Sequence, residues 1–220
     1  MNLLYQLVIL FLLGLVSLQG CISPMAGSGS QTTNGVILSV CNDTIRGSTQ
    51  PGLVVMLLSD DYSPLSDIGY RAQITVGADS VFEFTGLEKG KKYGLLTVFP
   101  DSTKGLYISD LIPHFDSTSF VRKVFLFDSL GSVSGSIKDL SGKNQGNVVE
   151  VYIRGTPFIG YFDSQRRFYI DNCPLGKFYI VAVLVPNKSV SLGKKSITKE
   201  IVIDKKGTEY IIDISEIIDN

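Results

Sequence analysis

This sequence predicts an all-β chain, with two tandem antiparallel β-sandwiches behind a cleavable leader. Three observations lead there. Short alternating apolar runs, separated by turn residues, occupy nearly everything after Gly35. No i, i+3, i+4, i+7 pattern persists between helix caps. A strand–turn–strand unit in the first half returns in the second. Composition agrees, since 22 glycines, no tryptophan and abundant Val, Ile, Phe and Tyr favour strands and turns over helices.

The strands are expected in order. Val36 to Val40 is the first. Leu53 to Leu58 is entered through Gln50-Pro51-Gly52 and ended by the turn chemistry of Asp60-Asp61-Tyr62-Ser63-Pro64. Tyr70 to Val76, Val81 to Phe84, Tyr93 to Phe99 and Val121 to Phe127 complete the first half. Residues 100–120 exceed an ordinary hairpin connection and read as a long loop, with a turn of helix near Ile108–Ile112. The second half begins with Ser132 to Ile137, followed by a polar loop from Asp139 to Gly146. Val148 to Ile153, Phe158 to Phe162, Phe168 to Ile170, Phe178 to Val185, Ile197 to Ile203 and Glu209 to Ile214 follow.

The repeat sets Val81-Phe82-Glu83-Phe84-Thr85-Gly86-Leu87-Glu88-Lys89-Gly90-Lys91-Lys92-Tyr93 against Arg167-Phe168-Tyr169-Ile170-Asp171-Asn172-Cys173-Pro174-Leu175-Gly176-Lys177-Phe178, one lysine shorter. In each copy an aromatic-x-apolar strand points two side chains at one core face. A glycine, Gly90 or Gly176, then makes a turn that calls for positive φ. An aromatic opens the next strand.

This pattern resembles the bacterial carboxypeptidase-regulatory-like domain, a transthyretin-like (prealbumin-like) β-sandwich. The first unit matches through Gly52 to Leu58, Phe82-Glu83-Phe84, Leu87-Glu88-Lys89-Gly90 and Tyr93. The second matches through Val133-Ser134-Gly135-Ser136-Ile137, Asp163, Phe168-Tyr169-Ile170, Gly176 and Phe178. The resemblance implies architecture, Ig-like in its layering, and carries over no catalytic residue. The glycine that the family places before its aromatic strand is Ser80 in one copy and Arg166 in the other, so the two hairpins are expected to use different turns.

The leader concerns location. Leu3 to Leu18 holds no charged residue and is shorter than the roughly 20 apolar residues of a membrane span, as in a signal peptide. Leu18-Gln19-Gly20-Cys21 resembles the lipobox of bacterial lipoproteins. The expected division is therefore a signal peptide over 1–20, a flexible tether over 21–33, a first sandwich over 34–130 and a second over 131–217. Cys21 is the expected lipid-attachment residue, and several acyl chains there would make a stable anchor. Ile22 follows rather than Asp, so nothing resembles an inner-membrane retention signal, and the outer membrane is expected in a two-membrane bacterium. Cys41 and Cys173 read as buried free thiols or as a bridge pinning the two halves together.

A net charge of −1 gives no electrostatic case for nucleic acid. The one histidine, His114, follows Pro113 with no Gly-x-Ser-x-Gly elbow, which argues against a Ser-His-Asp triad. Asp110, His114 and Asp116 are too few for a firm metal site, and Asp60, Asp61 and Asp67 match no calcium loop. There is no phosphate loop, and Lys89-Lys91-Lys92 and Lys194-Lys195 read as solvated edge charges. The expectation is a non-catalytic cell-envelope lipoprotein with no cofactor, a structural or protein-interaction module held to the membrane through lipidated Cys21. Its partner would be an envelope protein or a polysaccharide. One alternative is a carbohydrate-binding or adhesive module using Tyr62, Tyr70, Tyr107, Phe115 and Phe120. Another is an envelope sensor or peptidase-associated accessory.

Overall fold

The computed structural model describes residues 34–66, 68–113, 123–138, 148–185, 195–205 and 207–213. Cys21, Asp67, His114, Phe115, Asp116, Phe120 and Lys194 lie outside these residues, as do the expected leader and tether. Among the described residues fifteen strands run β1 (Gly35–Cys41), β2 (Thr44–Ser48), β3 (Val54–Ser59), β4 (Arg71–Thr75), β5 (Val81–Phe84), β6 (Tyr93–Val98), β7 (Lys104–Leu111), β8 (Lys123–Leu126), β9 (Asp128–Lys138), β10 (Val148–Ile153), β11 (Tyr161–Phe162), β12 (Arg167–Pro174), β13 (Gly176–Val185), β14 (Lys195–Ile203) and β15 (Thr208–Asp213). The fold is all-β.

Two sandwiches result. In the first, the sheet β5-β2-β1-β8 faces β4-β3-β6-β7 across a core that includes Val36, Ile45, Val55, Leu57, Phe82, Tyr93 and Leu95. In the second, β10-β13-β14 faces β11-β12-β9, with β15 added parallel to β9; the core includes Val133, Val151, Phe168, Ile170, Ile180 and Ile201. Every other pairing between named strands is antiparallel, and a short β7–β9 ladder (Lys104↔Ser129, Gly105↔Asp128) runs one sheet of each sandwich into the other.

The repeat has a packing basis. Phe82 pairs across strands with Gly47, and Phe168 with Gly135. In both copies the ring lies over a glycine that has no Cβ to obstruct it. The same turn precedes each aromatic strand, although it links β4 to β5 in the opposite sheet in the first copy and closes the β11–β12 hairpin in the second. Ser80 N–H donates to Gly77 C=O and Arg166 N–H to Asp163 C=O, with φ of 61° and 60° at Ser80 and Arg166. The expectation of different turns is therefore corrected: the left-handed position is kept without its glycine, and neighbouring aspartates brace the loop. Asp79 Oδ1 accepts from Val81 N–H at 3.3 Å and Asp163 Oδ1 from Arg167 N–H at 2.9 Å. Gly90 and Gly176 have the expected positive φ, 73° and 144°. Ser80→Gly and Arg166→Gly should each raise stability by about 0.5–1 kcal/mol, because an L side chain is strained there. Urea midpoints check this, and a fall in either midpoint contradicts it.

Three readings change. Thr44–Ser48 is a strand although Ile45 is its one large apolar residue, since Gly47 serves the ring of Phe82. Lys104–Leu111 is a strand, so residues 100–120 are not one long loop and Ile108–Ile112 forms no helical turn. Phe158–Phe162 is not one strand: Ile159 bridges to Tyr152 of β10, and the chain then crosses to pair Tyr161 and Phe162 with β12. Cys173 is a buried free thiol, so no bridge joins it to Cys41; burial pushes its thiol up to about 12.

Candidate functional site

Three strands of the first sandwich are apolar on both faces. Along β3, Val55 and Leu57 enter the first core, while Met56 and Leu58 point the other way. On β6, Leu95 faces inward and Leu96 outward. On β7, Leu106 and Ile108 face inward and Tyr107 outward. The outward residues form a small second layer, in which Leu58, Tyr62 and Leu96 pack with Met56, Val98, Tyr107 and Phe158. Phe158 belongs to the second sandwich, so this layer joins the two halves.

Tyr107 is its centre. Its ring centroid lies 5.2 Å from that of Phe178, and its hydroxyl donates to the Gly155 carbonyl at 3.5 Å. Gly94, beside it on β6, leaves room for the ring, because a Cβ there would overlap the phenol. Burial first, then the Asp110 and Asp60 charges, push the Tyr107 hydroxyl up to about 12. Main-chain bonds complete the joint. Gly155 N–H donates to Tyr62 C=O at 3.1 Å, and Arg154 Nε to Asp60 C=O at 3.1 Å.

Beside the joint is a cleft of about 540 Å³. Four of its charged residues form two ion pairs. Lys92 Nζ lies 3.1 Å from Asp110 Oδ1, and Lys177 Nζ 4.0 Å from Glu200 Oε1. The Lys92 bond, then that of Ser109, holds the Asp110 carboxyl below its usual range. Such exposed pairs contribute at most about 1 kcal/mol each. What the arrangement does physically is fix the orientation of two sandwiches.

Of the acids weighed as metal ligands, Asp60, Asp61 and Asp110 are among the described residues. Asp110 sits on β7 at φ 57°, where the β6–β7 register shifts. Asp61 is held below its usual range mainly by a Ser59 hydrogen bond, and lies 3.9 Å from Lys91. Among the described residues no three His, Cys, Asp or Glu side chains gather as a metal site. Lys91 and Lys92 are paired, with Glu88 and Asp110, rather than simply solvated. The described aromatics of the sugar reading are engaged too. Tyr62 is buried, Tyr70 meets Tyr93 edge-on at 5.7 Å, and Tyr107 is the interface wedge. Sequence reasoning missed this interface. Its signal was the unbroken apolar runs Val54-Val55-Met56-Leu57-Leu58 and Leu95-Leu96, which mark strands covered on both faces.

No family model and no curated protein matches the chain. Among solved structures, the chain is similar to GBS52, the minor pilin of the gram-positive pathogen Streptococcus agalactiae, at 14% identity over 76% of this chain and 84% of that one, with a TM-score of 0.33. It is also similar to the shaft pilin SpaA from Lactobacillus rhamnosus GG at 10% identity. A single-mutant form of that pilin covers 83% of this chain and 98% of its own, and a double-mutant form 76% and 86%, both with a TM-score of 0.27.

Proposed function

We propose that this chain is a non-catalytic cell-envelope lipoprotein: a rigid pair of carboxypeptidase-regulatory-like sandwiches, over 34–130 and 131–217, carried on a tether from lipidated Cys21. The observation that supports this reading best is the Tyr107 joint. A wedge packed against Gly94 and Phe178, with main-chain bonds around it, makes two small domains into one stiff unit suited to holding a surface at a set distance from an anchor. The Leu18-Gln19-Gly20-Cys21 motif supports the anchor, and Ile22 after it, in place of Asp, supports the outer membrane.

Metabolic labelling with an alkyne fatty acid tests the anchor. The wild-type chain should carry label and sediment with membranes. Cys21→Ser should lose both while the sandwiches still fold, read as an unchanged urea midpoint. Label retained on Cys21→Ser would show that the motif does not direct lipidation.

A further inference from the structure

The outer face of the second sandwich carries an aromatic arrangement that neither the core nor the joint requires. Tyr161 on β11 pairs with Tyr169 on β12, and their rings stack at 5.5 Å and 22°. Alternation along β12 sends Phe168 and Ile170 into the core and Tyr169 outward. Both hydroxyls are tied to carboxylates. Tyr161 donates to Asp171 Oδ2 at 2.6 Å, and Tyr169 to Asp163 Oδ2 at 3.2 Å. Two aromatic rings are thus held in place at a surface before any ligand arrives, which lowers the ordering cost of binding.

One flank of this stack already shows what it accepts. Arg167 Cζ lies 5.5 Å from the Tyr169 centroid, and its Nη2 lies 3.7 Å from Glu209 on β15. β15 is on the far side of β9 from β11, so the Glu209 that Arg167 meets lies on the side of Tyr169 away from Tyr161. The row across the sheet reads carboxylate, guanidinium, ring, ring. It ends at Tyr161, which is 56% exposed on the last strand of its sheet, with Asp171 beside it. Three carboxylates, Asp163, Asp171 and Glu209, stand against two guanidiniums, those of Arg167 and of Arg166 in the same turn, a local negative excess of one on a nearly neutral chain. A phenol donating to a carboxylate has an electron-rich ring, and a cation over such a ring is favoured by both the quadrupole and the adjacent charge.

We propose that the open face of Tyr161, with Asp171 as counter-charge, receives an arginine or lysine side chain from an extended basic segment of a partner protein. The bound side chain mirrors Arg167 across the tyrosine pair. Charge complementarity sets the sign of the partner. The edge position of β11 suits an extended segment lying along the sheet. The surface is separate from the Tyr107 joint and independent of lipid at Cys21.

The test uses the full-length protein and a fluorescein-labelled peptide of alternating arginine and valine, followed by anisotropy at low salt. An otherwise identical peptide with citrulline for arginine is the neutral comparison. The arginine peptide should bind, and the citrulline peptide about tenfold more weakly or not at all. Tyr161→Ala and Asp171→Asn should each weaken the arginine peptide about five- to tenfold, whereas Tyr179→Ala, an exposed tyrosine on the other sheet, should not. Tyr161→Phe keeps the ring if Tyr161→Ala disturbs the hairpin, and should stay within about threefold of wild type. Equal binding of the two peptides overturns the proposal, as does indifference to Tyr161→Ala in a folded variant. Binding of cello-oligosaccharide or phosphatidylcholine vesicles in place of the peptide also overturns it, assigning the ring to a sugar or a headgroup.

Discussion

Gly135→Ala is expected to destabilise the protein by about 3 kcal/mol, and Gly47→Ala by about 2 kcal/mol, as overpacking at a site that cannot yield. Gly135 sits between two neighbours, Phe168 on β12 and Tyr210 on β15. A methyl group there would overlap the Tyr210 carbonyl oxygen and come within 2.6 Å of two Phe168 ring carbons. The ring is fully buried and the carbonyl belongs to the β9–β15 ladder, so neither moves cheaply. At Gly47 the added carbon meets the Phe82 ring and lies 2.6 Å from the Ile37 carbonyl. Urea unfolding reads both variants. A loss below about 1 kcal/mol at Gly135 would mean that the ring does not rest on the glycine.

Tyr107→Ala should cost about 4 kcal/mol and divide unfolding into two transitions, because it removes the ring that couples the sandwiches. Calorimetry distinguishes this from a simple core loss, which would keep one transition at a lower temperature. Tyr107→Phe retains the wedge and gives up only the long bond to Gly155, a change of about 1 kcal/mol or less. The phenol also predicts an alkaline limb. Its folded value, about 12, lies above the ordinary 10, so its contribution is complete below pH 10 and is lost as pH rises through 12. The full loss is about 3 kcal/mol at most. Other tyrosines titrate nearby, so the readout is the difference between wild type and Tyr107→Phe across that window. Parallel curves for the two would contradict a buried hydroxyl.

Much of the strand order could be read from the chain because a half-buried strand leaves a period of two, as in Phe82-Glu83-Phe84 and Phe168-Tyr169-Ile170. Where that period fails, so did the reading. β2 has only Ile45 to mark it, since Gly47 contributes by having no side chain. β7 carries Lys104, Ser109 and Asp110 among its apolar residues, and so resembles a loop. At the candidate surface, Tyr161-Phe162 before the turn and Phe168-Tyr169 after it form a mirrored pair. Four residues of that kind around a tight hairpin place like opposite like, Tyr161 on Tyr169 and Phe162 on Phe168. This was legible in principle. The position of Arg167 over Tyr169 was not, because it depends on Glu209 arriving from a strand far along the chain.

The sequence by itself determined the all-β class, the repeated aromatic strand, the turn glycines and the motif around Cys21, because each is written in residues close together along the chain. Only the tertiary structure decided that Ser80 and Arg166 hold the same left-handed turn, that Phe82 and Phe168 lie on distant glycines, and that Tyr107 leaves its own sandwich to pack on the next. These depend on which strands become neighbours. Strand neighbours are chosen by the burial of whole faces, a sum over the entire sheet that no local run of residues contains.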